Sequence, residues 1–241
     1  LKPIVANMRA QTEFVQNASH ELRTPLAVIQ TTGELLLDSP NSRIVDRFED
    51  VNAITSETKR LARLVDNLME LSLGDAGRSS LDASAVNLDA LVREACAAYE
   101  DFATLQDKRL EVETGSRETI EADADKLRQL LGIVLDNALK YTAPGDEITV
   151  RTRASGPKQC VVEVADTGCG IDPKDRAHVF ERFYRADKAR SRETGGYGLG
   201  LSLAQHIVEA HGGSIALEPN EPRGTVVVTL PANASKRVDS L

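Results

Sequence analysis

The 241-residue sequence has no tryptophan, and aromatic residues make up only 4% of it. Any core must therefore be built from aliphatic side chains. Cysteine is scarce: Cys96, Cys160 and Cys169 are an odd number with neither C-x-x-C spacing nor a companion histidine set. That argues against a disulfide framework and a zinc site, and points to a reducing compartment. No apolar run approaches the roughly 20 residues of a membrane span. No secretory signal opens the chain, and it starts on Leu1 in the middle of a pattern, so a longer parent protein is expected. Positive charge is in deficit, 29 Lys and Arg against 37 Asp and Glu, for a net −8. A broad nucleic-acid-binding surface would be basic, so no nucleic-acid partner is expected. There is no G-x-x-x-x-G-K-[ST] stretch either, which excludes a P-loop nucleotide site.

What is present begins with a heptad seam. Val5, Met8, Thr12, Val15, Ser19, Leu22, Leu26, Ile29, Gly33 and Leu36 alternate by three and four, over roughly five heptads. Asp38-Ser39-Pro40-Asn41-Ser42 reads as a turn and a helix start. A second periodic stretch follows through Ile44, Phe48, Val51, Ile54, Leu61, Leu64, Val65, Leu68 and Leu71. Two long helices joined by a short turn form an antiparallel hairpin. Its apolar stripe exceeds what one partner helix covers, so a homodimer closing a four-helix bundle is expected.

Small and polar residues from Gly74 to Ser80 mark a boundary. The expected division is a hairpin domain over 1–74, a linker over 75–80, a second domain over 81–231 and a loose tail over 232–241. In the second domain, helices are predicted over Asn87 to Gln106, Asp123 to Tyr141 and Leu199 to His211, the last stopped by Gly212-Gly213. Strands are predicted over Arg109 to Glu113, Thr119 to Ala122, Glu147 to Arg153, Gln159 to Ala165, Ser214 to Leu217 and Thr225 to Leu230, with a turn at Ser155 to Lys158. The expected fold is an α/β two-layer sandwich, with helices on one face of a mixed sheet.

Within the first helix, His20 and Pro25 stand out. With Leu22 at the centre of the buried stripe, His20 lies about 160° away, on the solvent face. Thr24 shares that face, four residues on. Glu21 is placed to take a proton from one imidazole nitrogen and leave the other as nucleophile. Thr24 is placed to hold a water. Pro25 lacks an N–H, so the carbonyl of Glu21 loses its helical partner and the helix loosens where the histidine sits.

Two glycine-rich stretches punctuate the second domain: Asp166-Thr167-Gly168-Cys169-Gly170, running on to Ile171, and Gly195-Gly196-Tyr197-Gly198-Leu199-Gly200-Leu201. The first follows a strand and the second precedes a helix, where free N–H groups suit phosphate. Asn137, Lys140 and Tyr141 border one face of the preceding helix. They offer a neutral oxygen for Mg²⁺, a cation for phosphate and a ring on which a base can stack.

His20-Glu21-Leu22-Arg23-Thr24-Pro25-Leu26 resembles the H box of the sensor histidine kinases of two-component systems. The later stretches resemble the N, G1, F and G2 boxes of their catalytic domain, which has the Bergerat ATP-binding fold of the GHKL enzymes. The resemblance covers nearly the whole chain, with the boxes in order. It implies autophosphorylation of His20 from ATP, with Glu21 as general base, then transfer to an aspartate on a response regulator receiver domain. It implies that Asn137 ligates Mg²⁺, Asp166 accepts from the adenine amino group, and Lys140 and Tyr141 border phosphates and base. Phe180-Glu181-Arg182-Phe183-Tyr184-Arg185 is similar to the F box, and its Arg185 matches an arginine that bridges γ-phosphate and histidine. Residues 186–198 correspond to a mobile ATP lid. Gly168, Gly170, Ile171, Tyr184, Gly196, Gly198, Leu199, Gly200 and Leu201 are the remaining residues expected at the nucleotide, ATP or ADP. Thr24 matches the residue that supports phosphatase activity towards the regulator. The parent protein is expected to be anchored in the membrane by regions outside this chain, with this part in the cytoplasm.

Two positions depart from the family pattern. Ile133 stands where a second asparagine is common, and Tyr197 where threonine is usual. They leave open an alternative, a nucleotide-binding dimeric scaffold with weak catalysis. His178, His206 and His211 are read as structural or exposed.

Overall fold

The computed structural model describes residues 2–75, 80–156, 158–186, 196–220 and 223–232. The chain divides into two compact units, 1–76 and 77–241. Residues 76–79 of the expected linker, 187–195 of the expected lid, Pro157 of the turn and 233–241 of the expected tail lie outside the described residues.

The first unit is a helical hairpin. Helix α1 (Lys2–Leu37) runs unbroken through Pro25, and α2 (Phe48–Asp75) returns along it. α2 continues through Gly74, one residue past the expected end of the hairpin. The connection is longer than the sequence suggested. Ile44 belongs to a 3₁₀ turn over Ile44–Arg47, and the α-helix starts only at Phe48. Arg43 braces this turn through Asp46 at 3.1 Å, and Arg47 reaches back to the Ser39 hydroxyl at 2.5 Å.

The face of α1 that packs on α2 is rotated from the predicted stripe. Pro25 is its buried centre, flanked by half-buried Phe14, Ala18, Glu21, Leu22, Ile29 and Leu36. Val15 and Leu26, both in the predicted seam, are 62% and 57% exposed. The apolar arc of α1 is wider than a single helix covers. One partner takes one edge of it and leaves the other free. On α2 the same division buries Leu64 and Leu71 and leaves Val65 and Met69 exposed.

The second unit opens with a short strand that periodicity did not reveal, β1 (Ser84–Asn87). It pairs antiparallel with β3 (Thr119–Ala122). A five-stranded sheet follows in the order β2 (Arg109–Gly115), β4 (Glu147–Ala154), β5 (Gln159–Asp166), β7 (Arg223–Pro231), β6 (Ser214–Asn220). β2 and β4 are parallel and the other pairs antiparallel, so the sheet is mixed as expected.

Three helices, α3 (Leu88–Leu105), α4 (Ala124–Tyr141) and α5 (Gly200–Ala210), cover one face. Leu88, Leu91, Leu127, Leu130, Leu131 and Val134 meet Val162, Val164, Val228 and Leu230 of the sheet. This aliphatic layer replaces the aromatic core that the composition denies. Cys96 and Cys160 lie in it, and burial pushes both thiols up to about 12. On the other face, ion pairs Arg151–Glu113 and Arg153–Glu163, each 2.7 Å, cross adjacent strands in water.

Local chemistry sets the helix ends. The Asn87 side chain accepts from the Ala90 N–H at 2.9 Å and starts α3. Asp123 accepts from the N–H groups of Asp125 and Lys126 and starts α4. α5 stops at Gly212, whose φ of +71° suits glycine. The next residue, Gly213, lies so close to β7 that a Cβ would stand 2.3 Å from the Thr229 carbonyl oxygen. The neighbouring His211 ties two helices together. It lies within 2.7 Å of the Ile207 carbonyl through Nδ1, and Nε2 accepts from the Asp123 N–H at 3.1 Å. Its reading as a structural residue fits this geometry.

Candidate active site

The chemistry-bearing residues belong to two separate units. On α1, His20 and Thr24 are exposed and Glu21 is half-buried. The proline that loosens this turn is itself packed inward, so the loosened backbone is held from one side while the imidazole faces solvent.

In the second unit, the predicted nucleotide residues converge on the C-terminal end of α4. Asn137 and Lys140 are half-buried there, and Tyr141 is exposed at the rim. The Lys140 ammonium lies 5.1 Å from the centre of the Tyr141 ring. The loop after β5 closes against the same helix end. Cys169 donates its N–H to the Tyr141 carbonyl at 3.3 Å, and a Cβ on Gly168 would stand 2.3 Å from that oxygen. Only glycine allows this approach.

Asp166 stands at the end of β5 and accepts from the Gly168 N–H at 3.0 Å. Burial, with the nearby Asp146 charge adding to it, pushes its carboxyl above the usual range despite that N–H. A Cβ on Gly224 would lie 3.0 Å from its other oxygen. Thr167, which the sequence reading did not single out, bonds the Asp146 carboxylate at 2.9 Å and accepts from the Glu147 N–H at 2.9 Å. It pins the loop to the start of β4. The signal for it was its place between Asp166 and Gly168.

The second glycine stretch meets the same region. A Cβ on Gly196 would lie 2.6 Å from the Lys140 ammonium. Gly198 has a φ of +71°, and a Cβ there would lie 2.6 Å from the Tyr184 carbonyl oxygen. The Phe183 N–H donates to the Gly198 carbonyl at 2.8 Å, so the stretches containing Arg185 and Gly198 are stitched together. Gly200 begins α5 against Ile133, with 3.2 Å between a would-be Cβ and the isoleucine methyl. Ile133 thus serves as a packing contact where the family pattern often has asparagine.

Leu199 departs from expectation. Its side chain is fully buried and only its backbone faces outward chemistry, the carbonyl accepting from the Ser202 hydroxyl at 2.9 Å. Leu199, at the N-cap of α5, offers no capping side chain, and the N–H groups of the first turn suit an anion. Gly170, with a φ of +67°, closes the loop, and the Ile171 carbonyl accepts from Arg176 at 3.1 Å.

The cradle fits a phosphorylated ligand. Nε and Nη2 of Arg185 are buried and have no hydrogen-bond partner among the described residues. A cation held this way lacks only an anion. No cluster of three His, Cys, Asp or Glu residues able to hold a metal occurs among the described residues. A Mg²⁺ ion at Asn137 would therefore draw most of its ligands from phosphate and water, as magnesium does beside nucleotides.

Residues 10–77 match the family described as His Kinase A (phospho-acceptor) domain. Residues 122–234 match the family of histidine kinase-, DNA gyrase B-, and HSP90-like ATPases. The sensor protein CiaH of Streptococcus pneumoniae serotype 4 is 37% identical over 226 residues, which is 94% of this chain and 50% of CiaH. The chain thus spans about half the length of the curated relatives it matches. Among solved structures, the Acinetobacter baumannii histidine kinase AdeS superposes with a TM-score of 0.72 at 22% identity, over 89% of this chain and 98% of AdeS. Histidine kinase ThkA, solved in complex with the response regulator protein TrrA, superposes with a TM-score of 0.70 at 22% identity, over 96% of this chain and 65% of ThkA. These likenesses give the fold, a helical hairpin followed by a sheet-and-helix ATPase domain. With both domains matched in order and 94% of this chain aligned at 37% identity to half of a sensor protein, the chain belongs to the sensor histidine kinases of two-component systems.

Proposed function

We propose that this chain autophosphorylates His20 from ATP and passes the phosphoryl group to an aspartate of a response regulator. The observation that carries this reading is exposed His20 beside half-buried Glu21, in the same chain as glycine loops that close on Lys140 and Tyr141 and an Arg185 whose Nε and Nη2 have no hydrogen-bond partner among the described residues.

Phosphoryl transfer is governed by alignment and charge neutralisation. Asp166 accepts from the adenine amino group and Tyr141 flanks the base. Lys140, the N–H groups of the first turn of α5 and Arg185 neutralise the phosphates. Asn137 would hold Mg²⁺, which would supply further positive charge for the phosphates. One nitrogen of His20 attacks the γ-phosphorus. The N–P bond forms as the P–O bond to ADP breaks, and Glu21 takes the proton from the other ring nitrogen. The exposed face around His20 then receives the regulator. Thr24 positions a water for the reverse activity, hydrolysis of the regulator's aspartyl phosphate. The hairpin acts as a homodimer. The parent protein is a membrane receptor with this part in the cytoplasm; among the described residues, no helix is long and apolar enough to cross a membrane.

Incubation with γ-labelled ATP and Mg²⁺ tests the central step. Label that is lost in acid, survives alkali and disappears in His20→Gln is the expected result. Label persisting in that variant would overturn the assignment of His20, and ATP binding without any label would favour the scaffold.

A further inference from the structure

The segment between the first glycine loop and the lid carries a buried acid that the mechanism above does not use. Asp175 is 7% exposed. Its backbone organises a tight turn: its N–H donates to the Asp172 carbonyl at 2.9 Å, and its carbonyl accepts from His178 and Val179 at 2.9 and 3.1 Å. Its carboxylate then reaches nine residues ahead, where the Tyr184 hydroxyl donates to it at 2.7 Å. The ring of Tyr184 is held too, with its centre 5.4 Å from that of His178, which bonds Glu181 at 2.7 Å. Tyr184 was expected to touch nucleotide, but its hydroxyl is already committed to this acid.

The backbone around Tyr184 is under strain. Phe183 has a φ of +62°, a region a bulky side chain avoids, and is held there by its N–H bond to Gly198. Such a conformation persists only when its surroundings fix it. The residue that leaves this turn is Arg185, whose buried nitrogens await an anion.

We propose that Asp175 is a positioning residue for phosphoryl transfer: by anchoring the Tyr184 hydroxyl it fixes the strained turn from which Arg185 projects towards the γ-phosphate. The proposal rests on the kinase reading for the role of Arg185. Its geometry needs a hydrogen-bond acceptor at position 175, not a charge. The hydroxyl remains a donor because its bond to Asp175, with burial adding, pushes its pKa up.

The test uses the full chain with Asp175→Ala, Asp175→Asn, Tyr184→Phe and the double variant Asp175→Ala/Tyr184→Phe. Autophosphorylation rate, ATP and ADP affinity by calorimetry, and melting temperature are measured for each. Asp175→Ala is expected to slow labelling roughly ten-fold or more, as misplacement of an aligned group does. It should reduce the preference for ATP over ADP while leaving ADP affinity within about two-fold. Asp175→Asn, which keeps an acceptor oxygen, should restore most of the rate. Tyr184→Phe should reproduce Asp175→Ala, and the double variant should be no worse than either single, because the pair acts as one unit. Parallel loss of ATP and ADP binding, an Asn variant as slow as the Ala variant, or additive effects would overturn the proposal. If Asp175→Ala fails to fold, Tyr184→Phe decides alone. Wild-type protein that takes no label would sink the kinase reading, while the ratio of ATP to ADP affinity would still decide this one.

Discussion

At Asp166, stability and the proposed nucleotide contact pull in opposite directions. Burial holds its carboxyl above the ordinary range, so its ionised form is disfavoured in the folded chain. A group raised in this way contributes stability below its unfolded pKa, and the contribution is lost as pH rises through the folded value. At neutral pH the ionised group is a cost. Asp166→Asn removes that cost and still accepts from Gly168, so its melting temperature should equal or exceed that of the parent. Nucleotide affinity should fall roughly ten- to hundred-fold, the worth of a hydrogen bond to a charged acceptor. Thermal melts and calorimetry with ATP check both signs, and unchanged affinity would remove Asp166 from the site. Asp166 was singled out through the resemblance of its glycine stretch to the family's G1 box. Asp175 was not, since its partner lies nine residues on and no periodicity links an acid to a distant hydroxyl.

At the scale of elements, helix starts were readable and cross-element ties were not. Asp123 and the helix it caps could be placed from local pattern, because capping needs only neighbouring N–H groups. The strand Ser84–Asn87 escaped, since four residues with only Val86 buried carry too little alternation to register. The centre of the hairpin seam was misplaced, because a proline in mid-helix reads as a breaker although here it is the buried residue of α1.

The least legible element-level feature is Asp89, which joins three elements. It sits in the first turn of α3 and accepts from the Ser116 hydroxyl at 2.6 Å, the Thr152 hydroxyl at 2.5 Å and the Arg117 N–H at 3.0 Å. These partners lie 27, 63 and 28 residues away. Burial alone would raise its pKa, but the donors outweigh burial and hold it below the usual carboxylate range. Asp89→Ala strands those donors and should cost about 3 kcal/mol. A depressed acid contributes stability above its unfolded pKa, about 3.9, and loses it as pH falls through the folded value. The gap between parent and Asp89→Ala should therefore be full at neutral pH and shrink below about pH 4. Urea unfolding at both pH values measures it, and a pH-independent gap would mean that the carboxylate charge plays no part.

For the whole molecule, the unfilled side of the hairpin decides the state in solution. Val15, Leu26, Val65 and Met69 are all at least 40% exposed, on helices whose other edges are buried against each other. Burying a large aliphatic side chain is worth about 1.5–3 kcal/mol. A second hairpin covering these residues at a two-fold axis would gain several such terms, and the same surface would serve both copies. The wild-type chain should therefore elute as a dimer at micromolar concentration, with a melting temperature that rises with protein concentration. Leu26→Glu with Met69→Glu places charge on that surface and leaves the sequence of the nucleotide-binding unit unaltered. Light scattering should then report a monomer whose melting temperature no longer depends on concentration, while ATP affinity stays within about two-fold. Because His20 shares α1 with the altered surface, the double variant also asks whether labelling survives in the monomer. A wild-type chain already monomeric at these concentrations would mean that the exposed stripe is covered by something other than a second copy, and the four-helix bundle would be withdrawn.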